Sequence, residues 1–337
     1  MIPLRLLGWV ATCTVTLIAG TIGLTLHLAP QINDSWAATY ATANSSHSYW
    51  RLHLVDVDRD VFFTLVDADM SAPTRPALSP DERYVVLEGT RLVVMDLWTD
   101  QTYTMQQGGG NVVWTADSRR FAYLYDGEVY VTVIDETTGP SDLLMPLGIT
   151  LPDYLVGWSP DGTQLVYIHR DSVRLLDTAT GQRHTLIADD TANFLFADWS
   201  PDGRHLLVSY SDERALSRYS LVLLPMHDLT TTPEPTLLFD DLTRVVNLKW
   251  SPDGQRIVLV ERPSNVRTMR IISLLPEQGR ITGDLHLPLD AQQVQWSPDG
   301  RRLLFINGRD ADLYVMDAVG SNLRRLTDNN RRNMLLR

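Results

Sequence analysis

Cysteine is all but absent. Cys13 is the only one in 337 residues and lies in an apolar run near the N-terminus, so the rest of the chain can hold neither a disulfide nor a thiolate metal site. Lysine is equally scarce: Lys249 stands alone, and arginine carries the remaining positive charge. The net charge of −12 removes the basic surface that nucleic-acid phosphates require, so no nucleic-acid partner is expected. Only 21% of residues are charged against 44% apolar, too little charge for disorder and enough apolar surface for a large core. Catalytic signatures are missing as well. There is no G-x-S-x-G elbow, H-E-x-x-H pair, Walker lysine loop or EF-hand loop. Gly108-Gly109-Gly110 has no nucleophile elbow to serve and reads as a connection between repeats. The eight histidines, His27, His47, His53, His169, His184, His205, His227 and His286, show no pair at helical or i+2 spacing. No cofactor, no metal and no enzymatic activity is therefore expected.

One long apolar run is present. Leu6 to Leu28 carries no acid and no Lys or Arg. As a helix its 23 residues would span about 34 Å, enough to cross a hydrocarbon core of about 30 Å. Arg5 precedes it and the next basic residue is Arg51, which orients the N-terminus to the cytoplasm and the remainder outside. Residues 1–30 are expected to form a transmembrane signal anchor, with a cleaved signal peptide and secretion as the alternative. Residues 31–47 are then a linker or a first strand, and residues 48–337 the folded domain.

A repeat dominates that domain. Trp158-Ser159-Pro160-Asp161-Gly162 recurs at Trp199-Ser200-Pro201-Asp202-Gly203, at Trp250-Ser251-Pro252-Asp253-Gly254 and at Trp296-Ser297-Pro298-Asp299-Gly300. Degraded copies stand upstream, one with Trp114 and Asp117, the other reading Leu78-Ser79-Pro80-Asp81. Ser, Pro and Gly at the first, second and fourth positions are what a type I turn prefers. After each turn comes an apolar run such as Leu303-Leu304-Phe305-Ile306, then a second ending in Asp, such as Leu313 to Asp317, then a third. With the strand that carries the Trp, each unit is a four-stranded antiparallel meander. Such a sheet is apolar on both faces and must stack against neighbours. The Trp reads as a wedge of core between them.

In these motifs the chain resembles the TolB-type, WD40-like propeller repeats of bacterial envelope proteins. The resemblance rests on W-S-P-D-G, on Leu313-Tyr314-Val315-Met316-Asp317 and on Arg324-Arg325-Leu326-Thr327, and covers roughly residues 48–328. It implies an all-β propeller and a binding or scaffolding role, without the separate N-terminal domain of TolB itself. Seven blades are preferred and six are the alternative. Arg51 to Asp56 and Phe62 to Leu65 read as strands of an additional unit, whose innermost strand would come from Asn333 to Arg337.

Two features bear on function. The loops between successive units hold Asp67, Asp69, Asp153, Asp189, Asp190, Asp240, Asp241, Asp290 and Asp328. Stacking would array them around one channel mouth, an acidic ring suited to a cation or a basic segment, although Asp also simply suits turns. Ser209–Tyr219 and Glu261–Met269 form long loops on the same face, where a rigid scaffold usually carries recognition. The leading expectation is a non-catalytic, membrane-anchored extracytoplasmic platform that binds a protein, peptide or envelope polysaccharide. The alternative is a propeller enzyme acting on glycans or peptides in the central channel.

Overall fold

The structure is a computed structural model and describes residues 36–43, 50–68, 76–106, 108–135, 137–141, 145–150, 154–212, 218–227, 229–263, 265–328 and 332–335. Its unit is the signature turn. In the fifth sheet the hydroxyl of Ser200 donates to Asp202 Oδ1 at 2.6 Å and accepts the N–H of His205 at 2.9 Å. Asp202 Oδ1 accepts the N–H of Arg204 at 3.0 Å, and the N–H of Gly203 closes the turn on the Ser200 carbonyl at 2.9 Å. The same bonds form at Ser159–Asp161, Ser251–Asp253 and Ser297–Asp299, and Thr115–Asp117 reproduces them with a threonine hydroxyl. The fourth position is left-handed every time, with φ of 71°, 72°, 68° and 68° at Gly162, Gly203, Gly254 and Gly300. Glycine adopts that region without a Cβ clash. Glu82 and Ser118 hold it in the degraded copies at 61° and 60°.

The strands of the described residues assort into seven sheets. The second holds Pro76–Leu78, Tyr84–Leu87, Val93–Asp96 and Gln101–Thr104; the third Gly110–Trp114, Arg120–Tyr125, Glu128–Asp135 and Gly139–Pro140; the fourth Tyr154–Trp158, Gln164–His169, Ser172–Asp177 and Arg183–Ala188. The fifth holds Ala192–Trp199, His205–Asp212, Tyr219–Pro225 and Thr236–Leu242; the sixth Arg244–Trp250, Arg256–Arg262, Thr268–Leu275 and Arg280–Leu287; the seventh Ala291–Trp296, Arg302–Asn307, Leu313–Asp317 and Arg324–Arg325. Each is an antiparallel meander. The first sheet joins Ala37–Ala43, Trp50–Asp56 and Val61–Ala68 to Arg332–Leu335, which pairs antiparallel with Ala37–Ala43. Sheets meet along their first strands, so those strands converge on one axis and the fold is a β-propeller.

The core lies between sheets rather than inside them, because a single four-stranded sheet buries neither of its faces. Val166, Val173 and Leu175 of the fourth sheet pack on Phe194, Trp199 and Leu206 of the fifth. Leu207 and Leu221 of the fifth pack on Trp250 and Ile257 of the sixth. Trp36, Val55 and Val57 of the first meet Leu304, Ile306 and Leu313 of the seventh. The signature indoles stitch these seams. Trp114 Nε1 donates to the Ala77 carbonyl at 3.3 Å, Trp158 to Val113 at 3.1 Å, Trp250 to Asp198 at 3.1 Å and Trp296 to Lys249 at 3.3 Å, each time on the inner strand of the preceding sheet. Arg120 and Arg256 lie over Trp158 and Trp296, at 5.4 and 5.2 Å, and donate to the carbonyls of Gly162 and Gly300.

Two points of the sequence-based fold class are corrected. The blades are not uniformly four-stranded: Met145–Thr150 also pairs with Glu128–Asp135 of the third sheet, as a fifth strand. The outer strand there, Gly139–Pro140, is only two residues long and leaves most of its neighbour's edge open, an edge that folded proteins cover. The N-terminal transmembrane helix is the second correction. Among the described residues the only helix is the single 3₁₀ turn Pro276–Gln278, and no helix is long and apolar enough to cross a membrane. Residues 6–28, on which that expectation rested, lie outside the described residues.

Candidate binding face

The meander topology sorts the connections onto two faces. Signature turns and the turns between third and outer strands share one. Loops between second and third strands, and links from each outer strand to the next inner strand, share the other. On this second face the seam of the fifth and sixth sheets opens into a cleft of about 370 Å³. Asn193, Leu195 and Phe196 of the strand Ala192–Trp199 line one wall, and Arg244, Val245 and Val246 of the strand Arg244–Trp250 line the other. Tyr219, at the start of Tyr219–Pro225, completes the rim.

Both walls are shaped by β-bulges. Register slips between Phe194 and Phe196 and again between Val245 and Asn247, so Leu195 and Val246 fall out of the pairing. A bulge re-aims side chains and sharpens the twist, and these two extra residues line the cleft. The inner strand of the fourth sheet carries the same irregularity between Leu155 and Gly157.

The charge in the cleft belongs to Arg244, which is exposed and sits opposite Arg262 in the pairing register. A buried network fixes the backbone beside it. Glu261 accepts the Thr243 N–H and hydroxyl, both at 2.8 Å, and pairs with Arg270 at 2.9 Å. Arg270 also pairs with Asp284 and lies 4.4 Å over the Phe239 ring. Burial pulls the Arg270 guanidinium down, but the hydrogen bonds it donates to Asp284 and Glu261 outweigh this and hold the group above its ordinary value. The buried guanidinium is therefore charged and hydrogen-bonded to two carboxylates, which makes the rim beneath Arg244 rigid. On the inner strands Lys249 meets Asp198 at 3.3 Å, and that carboxylate raises the lysine above its usual range.

The acidic positions expected at a channel mouth are dispersed. Asp240 and Asp241 lie inside the outer strand Thr236–Leu242 rather than in a link, and so stand at the periphery. Asp189 caps its own loop, accepting the Thr191 N–H at 2.9 Å and hydroxyl at 2.7 Å; Asp190 is exposed beside it. Asp290 is held by Arg267 at 3.2 Å, and Asp328 by Arg325 at 2.9 Å. Asp67 falls in the outer strand Val61–Ala68; Asp69 and Asp153 lie outside the described residues. None of these nine belongs to the one group of three close acid and imidazole ligand atoms found among the described residues, Asp202, His205 and Glu277. Strands also absorb the ends of the two long loops: Ser209–Tyr219 shrinks to the interval between Asp212 and Tyr219, and Glu261–Met269 to that between Arg262 and Thr268. The cleft itself was missed in the sequence, because its walls are inner-strand residues whose bulges leave no compositional mark.

No family model matches the sequence, and no curated protein matches it. Many solved structures share the fold. A candidate 6-phosphogluconolactonase of Bacteroides uniformis superposes with a TM-score of 0.63 at 16% identity, covering 90% of this chain and 97% of its own. The hydrazine synthase of Kuenenia stuttgartiensis gives 0.60 at 14% identity, covering 86% and 97%. TolB of Acinetobacter baumannii gives 0.53 at 16% identity, covering 88% of this chain and 65% of TolB. At such identities the likeness is one of fold.

Proposed function

We propose that this propeller is a non-catalytic binding platform whose contact site is the cleft between the fifth and sixth sheets, and whose partner is a protein presenting a peptide segment with an apolar side chain next to a carboxylate. The carrying observation is the lining itself: Leu195, Phe196, Val245 and Val246 offer an apolar floor, and Tyr219 and Arg244 stand at its edge. Aromatic residues and arginine beside an apolar pocket are the composition of binding hot spots. Arg244 beside Arg262 adds a local positive spot on a chain of net charge −12, which favours an acidic group in that place. A TolB-like role in the cell envelope accords with the repeat signature, and an extracytoplasmic address is part of this reading.

Screening a displayed peptide library against the protein tests the proposal. Enriched peptides should carry Asp, Glu or a free C-terminus beside a large apolar residue. Their binding should fall by about tenfold or more in Arg244→Glu, as expected when about 1.4 kcal/mol or more is lost. No enrichment, or enrichment indifferent to Arg244→Glu, rejects this site.

The names of the lactonase-like neighbours favour an enzymatic reading in the channel as the alternative. A hydrolysis assay on sugar lactones separates the two, since a platform leaves the spontaneous rate unchanged.

A further inference from the structure

On the face opposite the cleft, the same seam brings two neighbouring side chains of the fifth sheet together with a third that lies far along the chain. Asp202 lies in the signature turn of the fifth sheet, and His205 opens the strand that follows it. Glu277 lies in the 3₁₀ turn Pro276–Gln278 of the sixth sheet. One ligand atom from each falls within 4.8 Å of the other two. Asp202 uses Oδ1 for its turn, accepting from Ser200 and from the Arg204 N–H, which leaves Oδ2 for another partner. His205 is 6% exposed, and its buried Nδ1 makes no hydrogen bond. A buried polar atom without a partner is costly, and nothing in the turn requires an imidazole there. Glu277 is exposed and touches Arg204 at 3.4 Å, in a pair whose side chains are both about two-thirds exposed and which therefore holds Glu277 only weakly.

We propose that Asp202, His205 and Glu277 form a binding site for a divalent first-row metal ion that bridges the fifth and sixth sheets. One imidazole and two carboxylates suit zinc, at about 2.0–2.2 Å from each donor. Reaching those distances requires the three donors to close up from their present spacing, and the exposed Glu277 side chain has room to move. Coordinated through Nδ1, the ion would supply the partner that this nitrogen lacks, and it would add a link between the signature turn of the fifth sheet and the 3₁₀ turn of the sixth beside the exposed Arg204–Glu277 pair. This site is independent of the cleft and of its proposed ligand.

Isothermal titration of the full chain with zinc chloride decides the matter, with thermal melting as a second readout. One equivalent of zinc should bind, and the melting temperature should rise with zinc concentration. Glu277→Gln changes only an exposed turn and should leave the metal-free melting temperature in place. It should weaken zinc binding by about tenfold or more, since even outer-shell partners of a metal are worth about 10–100-fold. His205→Gln should abolish binding. The absence of binding, or binding and zinc-induced stabilisation unchanged in Glu277→Gln, overturns the site.

Discussion

Single atoms separate residues that the repeat presents as equal. Five signature tryptophans occupy the same turn-preceding position, and four of their indoles donate to the preceding inner strand. Trp199 is the exception: it is 9% exposed and its buried Nε1 has no acceptor. The carbonyl it would meet by analogy is that of Gly157, next to the bulge that displaces the inner strand of the fourth sheet. Trp→Phe removes the same indole nitrogen and similar volume at each site, so comparing two such variants isolates the hydrogen bond. Trp250→Phe should destabilise the protein by about 1–3 kcal/mol more than Trp199→Phe, because it leaves the Asp198 carbonyl without its donor while the other change deletes an unsatisfied polar group. Urea denaturation midpoints measure the difference. Equal losses would mean that the indole bonds contribute nothing beyond packing.

At the scale of the turn, charge joins geometry. Hydrogen bonding from the Ser159 hydroxyl holds the Asp161 carboxyl below the usual carboxylate range. Burial is the largest single influence on Asp117, Asp202, Asp253 and Asp299 and pushes them up, but hydroxyl and main-chain hydrogen bonds with nearby positive charge outweigh it, and all four lie low. Asp96, Asp135 and Asp177, which end third strands, also lie low; Asp135 accepts from Thr137 and is lowered to about 2. A carboxylate lower in the fold than in the unfolded chain stabilises the fold above the unfolded value of about 3.9, and that contribution is lost as pH falls through the lower folded value. Stability should therefore be level above about pH 5 and fall steeply below about pH 4. Asp161→Asn should be less stable than the parent at pH 7 and lose less on acidification, as followed by urea midpoints at a series of pH values. A parallel decline in both proteins would assign the acid sensitivity elsewhere. These turns are also the part of the structure most legible in the sequence, since Ser, Pro, Asp and Gly each answer one local requirement. The fifth strand Met145–Thr150 was not legible, because it answers an open edge made by a neighbour. Asp202, His205 and Glu277 were not legible either: two of the three are three residues apart, but the third arrives only through packing of adjacent sheets.

Across the whole molecule, the seam of the fifth and sixth sheets carries the cleft on one face and the proposed cation site on the other, so both depend on the ring holding that seam at a fixed angle. A ring does so only when every seam is closed. The first sheet takes its inner strand from the far end of the chain: Arg332–Leu335 pairs with Ala37–Ala43, from Ala43 opposite Arg332 to Tyr40 opposite Leu335. The seventh sheet meets the first through the ion pairs Arg302–Asp58 and Arg324–Asp60 and through the packing of Trp36, Val55 and Val57. Removing residues 331–337 would spare those contacts but leave the inner edge of the first sheet without its partner, an open row of N–H and C=O groups. The loss of several main-chain hydrogen bonds, each worth about 0.5–1.5 kcal/mol net, should lower the melting temperature by at least about 5 °C, given about 2–4 °C per kcal/mol for domains of about 150–250 residues. The truncated protein should also associate through the exposed edge. Differential scanning calorimetry and light scattering report the two effects. A truncated chain that melts with the parent and stays equally dispersed would show that the seventh and first sheets hold the ring through their side chains alone.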